Sequence, residues 1–254
     1  MTLDAEVGLA TLVASENGSY DIGGTTVSLP VAVRSARMAA ATFLVEADGA
    51  QSVIASTGLE IDRKRRDRAV VSLALVTYLD GDLECYDEIG LAFVISPPLG
   101  SPPLPRGGVS TYIHRLPVTQ PFTCMAGRGI WGFPKWVARM GVDIGAQRAT
   151  AWLDNESGER ILDVAVTRGR LPIPSRPLTM ACYSNDESGA LLRTEWRTAS
   201  RGQRLRFGGG SASVVVGTGH PMADELRTMG FPRKALLSMY TEQMTATFGA
   251  PIPV

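Results

Sequence analysis

Hydrophobic positions along the chain fall into short runs, most of them too brief for helices and separated by Gly, Pro and acidic residues. Ala69 to Tyr78 (AVVSLALVTY) and Ile89 to Ile95 (IGLAFVI) have strand length and are rich in β-branched and aromatic side chains, so they predict two strands. LDGDLECYDE between them predicts a turn that gathers Asp80, Asp82, Glu84, Asp87 and Glu88 in one place. Val109 to Val118 predicts another strand, and Thr25 to Val33 an extended segment with Pro30 at an edge or a bulge. VARMGVDI can begin a further strand, and shorter strands are expected near Ala149–Leu153, Ile161–Val166, Leu191–Thr198 and Ala212–Val216. Three stretches predict helix. Ala36 to Glu46 is dominated by Ala, Met and Leu with no breaker before Gly49, and QPFTCMAGRGIWG reads as a short helix ended by Gly127 or Gly129. PMADELRTMGFPRKALLSMYTEQM reads as two helical pieces split by Gly230 and Pro232.

Ser96 to Gly108 (SPPLGSPPLPRGG) is too rich in Pro and Gly to be regular and predicts a surface loop. IDRKRRDRAV, basic but broken by Asp62 and Asp67, predicts a solvated turn. FGGGS at Phe207 to Ser211 lacks the spacing of a phosphate loop and predicts a turn. Many strands, few helices and no βαβ alternation give an α+β fold with a mostly antiparallel sheet. No repeat and no domain boundary is visible, so residues 1–254 read as one domain.

Composition narrows the function. The chain has 254 residues, 44% hydrophobic and 20% charged, enough for a full core. Lys+Arg 25 against Asp+Glu 25 gives no basic excess, which argues against a nucleic-acid partner. No apolar run is long enough to span a membrane, and the N-terminus carries Asp4 and Glu6 rather than a basic leader, so a cytoplasmic protein without a membrane partner is expected. Cys85, Cys124 and Cys182 have no metal or disulfide spacing and read as small buried hydrophobes, so no metal site is expected. Only Lys64, Lys135 and Lys234 are lysines. An amine that can lose its proton is therefore a short choice, because arginine cannot serve.

His114 and His220 stand apart from any nucleophile motif and read as packed or surface residues. The acids of the turn, taken alone, read as solvated. Gly127-Arg128-Gly129-Ile130-Trp131-Gly132-Phe133-Pro134-Lys135-Trp136 changes the weighing. It resembles the signature of the acetoacetate decarboxylase family, in which a Gly-Arg-Glu segment runs into an aromatic-Pro-Lys-Lys tetrapeptide whose first lysine forms a Schiff base. Cys85-Tyr86-Asp87-Glu88, about 47 residues before the lysine, is similar to the family's Tyr-x-Glu element. Gly219-His220-Pro221-Met222-Ala223-Asp224 with Pro232-Arg233 is similar to its C-terminal turn and closing helix, so the resemblance runs from about Val27 to the C-terminus.

The resemblance implies a large, closed or cone-like, mostly antiparallel β-barrel with flanking helices, assembled as a homo-oligomer, for which Ser96–Gly108 would serve as a contact arm. It implies a cofactor-free lyase in which Lys135 is the nucleophile on a small-molecule ketone or keto acid and Glu88 moves protons. Lysine activation by a neighbouring cation is this family's documented device. Here Trp136 stands where the family has its second lysine, so desolvation among Trp131, Phe133 and Trp136 is the remaining means of lowering the Lys135 pKa. Trp131, Phe133, Trp136 and Tyr86 are candidate substrate contacts, and Arg128 and Arg115 candidate carboxylate partners. The family's second glutamate aligns with Ala74, its early arginine with about Thr26 or Val27, and Gly129 replaces the glutamate of Gly-Arg-Glu. Loss of these charges favours aldol or retro-aldol chemistry with dehydration, similar to divergent members that act on pyruvate. Decarboxylation of a β-keto acid such as acetoacetate is the alternative, and a non-covalent binding protein on the same barrel the second.

Overall fold

In the computed structural model, which describes residues 18–63 and 67–254, the long strands form a sheet that closes on itself. A hairpin of β1 (Ser19–Ile22) and β2 (Thr25–Ser28) leads past Pro30 into β3 (Val31–Glu46). After α1 (Ala47–Val53) and the short β4 (Glu60–Ile61) come β5 (Arg68–Gly81), β6 (Tyr86–Ser96) and β7 (Val109–Val118). Helix α2 (Pro121–Trp131) and β8 (Lys135–Val137) precede β9 (Arg139–Ile144), β10 (Arg148–Asp154) and β11 (Arg160–Thr167). Then follow β12 (Leu171–Pro172), β13 (Leu178–Asn185), β14 (Leu191–Arg201), β15 (Arg204–Phe207), β16 (Ala212–Val216), α3 (Pro221–Thr228) and β17 (Leu237–Pro253).

Seven strands pair in the order β3-β5-β6-β7-β13-β14-β17, and β17 pairs back onto β3, so the barrel has no free edge. All neighbours are antiparallel except β7 and β13. A second sheet, β16-β11-β10-β9, covers part of the outside. Outward-facing Phe43, Leu73, Leu91 and Phe93 share one core with Met140, Leu153 and Ile161 of that sheet and with Met222 and Leu226 of α3. The inward faces of the same strands surround a largely apolar cavity. Apolar residues therefore stand on both faces, which is why the barrel strands read as continuous runs rather than as alternation.

This two-sided burial corrects two helix readings. Ala36–Glu46 lies within β3, with Ala39, Ala41 and Phe43 in the outer core and Met38, Ala40 and Thr42 facing the cavity. Pairing to β5 and β17 overrides the helix propensity of its alanines. The second C-terminal helical piece is the start of β17, which pairs with β14, β15 and β3. The first is α3, begun by Pro221 and by His220 Nδ1 accepting the Met222 N–H at 3.1 Å. Helix α2 passes through Gly127 and Gly129 and ends at Gly132, in the left-handed region at φ 64°. Cys85 is exposed, in contrast to Cys124 and Cys182, and none of the three is in a disulfide. Among the described residues no helix is long and apolar enough to cross a membrane. Lys64 and the N-terminal residues 1–17, on which the leader reading rests, lie outside the described residues.

Candidate active site

The lysine is set by the end of α2. Gln120 Oε1 accepts the Thr123 N–H at 2.6 Å and Pro121 opens the first turn. At the other end Gly132 N–H bonds to Arg128 O and Phe133 N–H to Gly127 O, both at 3.0 Å, so the chain turns back across the helix. Lys135 opens β8 opposite Leu116 of β7, and its stem lies against Gly127. A Cβ at that glycine would stand 2.5 Å from Lys135 Cδ and 2.8 Å from Cε. The glycine thus has a packing reason in a helix interior that otherwise disfavours it.

Lys135 Nζ stands 2.9 Å from Glu88 Oε2, donates to Thr123 Oγ1 at 3.0 Å and lies 4.9 Å from the centroid of the Tyr86 ring. Tyr78 OH donates to Glu88 Oε1 at 3.0 Å, and the Tyr78 and Tyr86 rings stack at 4.3 Å. Lys135 is 6% exposed and Glu88 7%, so the pair is screened little by solvent. Burial pushes the Lys135 amine down, but the Glu88 carboxylate and Tyr86 outweigh it and hold the amine above its ordinary value. Desolvation alone, the expectation from the neighbouring aromatics, does not decide its state. Burial and the Glu88 charge push the Tyr78 phenol well up, which keeps it a proton donor to Glu88. Burial likewise raises Tyr86, with Lys135 pulling partly the other way.

The pair forms part of the wall of a cavity of about 310 Å³ inside the barrel, at the small end of the range for small-molecule sites. Tyr78, Tyr86, Trp131 and Phe133 stand around the pair, and the wall then runs through Ala40, Ala74, Gly90, Ala92 and Met180. A more open groove of about 540 Å³ under the Ser96–Gly108 loop shares Val70, Val94 and Val109 with it.

A sequence model of the family described as acetoacetate decarboxylase (ADC) matches residues 22–247. The chain belongs to the acetoacetate decarboxylase family. A comparison with curated protein sequences returned no match. Acetoacetate decarboxylase from Legionella pneumophila is similar in fold, with a TM-score of 0.60 at 14% identity over 89% of this chain and 87% of that one. The enduracididine biosynthesis enzyme MppR, in a complex with the condensation product of pyruvate and imidazole 4-carboxaldehyde, gives 0.63 at 14% identity over 89% and 90%. An acetoacetate decarboxylase-like enzyme from Sphingomonas wittichii RW1 gives 0.59 at 10% identity over 91% and 96%. At these identities the likeness is one of fold.

Within this acetoacetate decarboxylase fold the sequence-predicted residues divide. Lys135, Glu88, Tyr86, Trp131 and Phe133 come together on the cavity wall. Trp136 does not. Side chains alternate along β8, so it points away from Lys135, stacks on His220 at 6.0 Å and packs against the outer core. Arg128 pairs at the surface with Glu187 at 2.9 Å. Arg115, with His114, bonds Glu225 of α3, so neither arginine reaches the cavity. Burial pushes Glu225 up, but these two partners outweigh it and hold the carboxyl down at about 2. Ala74 does line the cavity, where it leaves room rather than charge, and Val27 is a buried apolar residue. Tyr78 and Thr123, which hold the pair in place, were not singled out from the sequence. Tyr78 could have been found from its register, since it pairs directly with Tyr86 across the acidic turn. Among the described residues no cluster of three or more His, Cys, Asp or Glu side chains could hold a metal.

Proposed function

We propose that this protein is a cofactor-free Schiff-base lyase that makes or breaks a carbon–carbon bond next to a ketone by aldol or retro-aldol chemistry, with dehydration in the synthetic direction. The observation that carries the proposal is the buried Lys135–Glu88 pair at 2.9 Å on a cavity wall. Lys135 passes a proton to Glu88 across that contact and its neutral amine attacks the carbonyl carbon. Glu88 gives that proton to the departing hydroxyl, so water leaves, a protonated iminium remains and Glu88 is again a carboxylate. In the cleavage direction Glu88 as carboxylate takes the proton of the β-hydroxyl, the Cα–Cβ bond breaks, an aldehyde leaves, and the electron pair remains as the enamine. Glu88 then returns the proton to Cα and water releases the ketone. Tyr78 keeps Glu88 oriented by donating to its other oxygen, and Thr123 accepts from the amine.

Carboxylate chemistry at this end of the cavity is disfavoured by charge. The carboxylate of acetoacetate would lie one carbon from the attacked carbonyl, beside Glu88, and Arg115 and Arg128 are engaged elsewhere. Among the described residues the one cation besides Lys135 on the cavity wall is Arg176, which joins it from the segment before β13. Cytoplasmic location and homo-oligomeric assembly belong to the same reading and are checked by fractionation and light scattering.

Intact-mass measurement after borohydride reduction tests the proposal, with wild type and Lys135→Ala incubated with acetone, pyruvate or acetoacetate while carbon dioxide is followed without reductant. A reduced adduct that requires Lys135, without gas from acetoacetate, is expected. Gas release with an acetoacetate adduct would establish the decarboxylase instead, and an adduct that persists in Lys135→Ala would remove Lys135 from the mechanism.

A further inference from the structure

The cavity is longer than the chemistry at Lys135 requires. Along β6 its wall runs from Glu88 to Val94, six residue steps. At ~3.3 Å per step that is roughly 20 Å of strand, or roughly 15 Å along the axis for a strand tilt of about 40°. Extended chain covers ~1.2 Å per bond, so a path of that length holds roughly ten to twelve bonds. Pyruvate or acetone would occupy only its inner end.

The wall is also mostly apolar over its middle, where Thr42, Ser72 and Thr111 add hydroxyls but no charge. Small residues stand at one belt, with Ala74 paired to both Ala40 and Gly90, so the passage is open directly beside the reactive pair. Polarity returns at the far end, where Ser200, Gln203 and Arg176 join the wall next to Leu178. Arg176 is exposed at that mouth and has no hydrogen bond or ion pair among the described residues. A ligand that matches these features has a carbonyl at one end, an apolar chain, and an anion at the other.

We infer that the substrate is an elongated keto compound with an apolar chain of about eight to ten carbons and a distal carboxylate, the carbonyl at Lys135 and the carboxylate at Arg176. This deepens the Schiff-base reading, on which the position of the carbonyl rests; the tunnel and its charged mouth stand on the cavity alone.

The test separates the two. Trapping rates by borohydride are compared for 10-oxoundecanoate, 2-undecanone and 2-butanone, and binding of decanoate, which has no ketone, is measured by calorimetry on the wild-type protein and on Arg176→Gln. The expected result is trapping of 10-oxoundecanoate at least tenfold faster than of 2-butanone at equal subsaturating concentration. Arg176→Gln should cut the 10-oxoundecanoate to 2-undecanone ratio by about tenfold, and Ala74→Phe, which fills the narrow belt, should collapse the long-to-short ratio. Decanoate binding that weakens in Arg176→Gln, with no ketone trapped, would keep the tunnel and overturn the Schiff base. Equal trapping of long and short ketones with no decanoate binding would overturn the tunnel and leave the Schiff base standing.

Discussion

Replacing Gly127 by alanine separates the two roles of that residue, because they carry opposite signs. As a residue of the α2 interior, glycine costs about 1 kcal/mol relative to alanine, so by propensity alone the variant should be the more stable protein. The added methyl, however, would stand 2.5 Å from Lys135 Cδ, 2.8 Å from Cε and 3.3 Å from Cγ. Carbon atoms rest at about 3.5–4.0 Å, so the stem must retreat by about 1 Å while its amine is pinned to Glu88 and Thr123 at 2.9 and 3.0 Å. Overpacking of that kind costs about 1–3 kcal/mol, which cancels or exceeds the helix gain, and the melting temperature is expected to hold steady or fall slightly. A misplacement of about 1 Å at a reacting atom costs on the order of 100-fold, about 2.7 kcal/mol of barrier. The assay is the rate of ketone trapping by borohydride beside a calorimetric melt of the same sample. A Gly127→Ala protein that melts higher and traps at the wild-type rate would refute the reasoning, since the lysine would then not need the glycine.

Three other outcomes follow from the same contacts. Tyr78→Phe removes the donor to a buried carboxylate and is expected to cost about 1.5–3 kcal/mol of stability by denaturant titration; an unchanged midpoint contradicts the bond. Glu88→Gln leaves burial as the main influence on Lys135, so the amine pKa falls from above its ordinary value toward or below it and acylation of Lys135, followed by mass, begins at lower pH than in wild type. Coincident pH profiles would count against the pairing. Glu225 is held at about 2 in the fold against an ordinary 4.5, so its contribution is complete above about pH 4.5 and is lost as pH falls through about 2. The melting gap between wild type and Glu225→Gln should be full at neutral pH and close toward pH 2, and a constant gap would show that the charge is not what stabilises.

The sequence was most legible where one local rule dominated. β5, β6 and β7 were readable because β-branched runs ended at Gly, Pro and acid turns, and α3 because Pro221 follows a capping side chain. Strand β3 was not, because its Ala-rich stretch satisfies helix propensity and its strand state is imposed by two neighbours distant in sequence. β13 passed unread for a related reason: LTMACYSN has little β-branching, and its inward Met180 and Cys182 are chosen for the cavity. At the site, Lys135 and Glu88 were legible through family-like motifs. Nearness in sequence failed for Trp136, Arg128 and Arg115, since adjacent residues on a strand point to opposite faces and α2 turns Arg128 outward to Glu187.

The residues that depart from the family pattern have a common physical direction. A carboxylate at Ala74 would place a second negative charge on the wall close to Glu88, and two such charges in an apolar wall cannot both stay ionised without a cation between them. Alanine there, facing Ala40 and Gly90, removes the charge and opens the passage in one step. Gly90 makes the same point, for a Cβ on it would sit 3.4 Å from Leu116 Cδ1 and 3.8 Å from Ala74 Cβ, taking up the remaining width. A wall so built selects by length, and the selection has a calculable ceiling. Each methylene withdrawn from water contributes about 0.8 kcal/mol, or about fourfold in affinity, until the chain spans the roughly 15 Å between Glu88 and the mouth. Binding of straight-chain carboxylates from six to sixteen carbons should therefore tighten by up to about fourfold per carbon and flatten at roughly ten to twelve. A slope that continues unbroken would mean that the chain lies in the open groove under the Ser96–Gly108 loop, and a flat series would mean that it never enters the barrel.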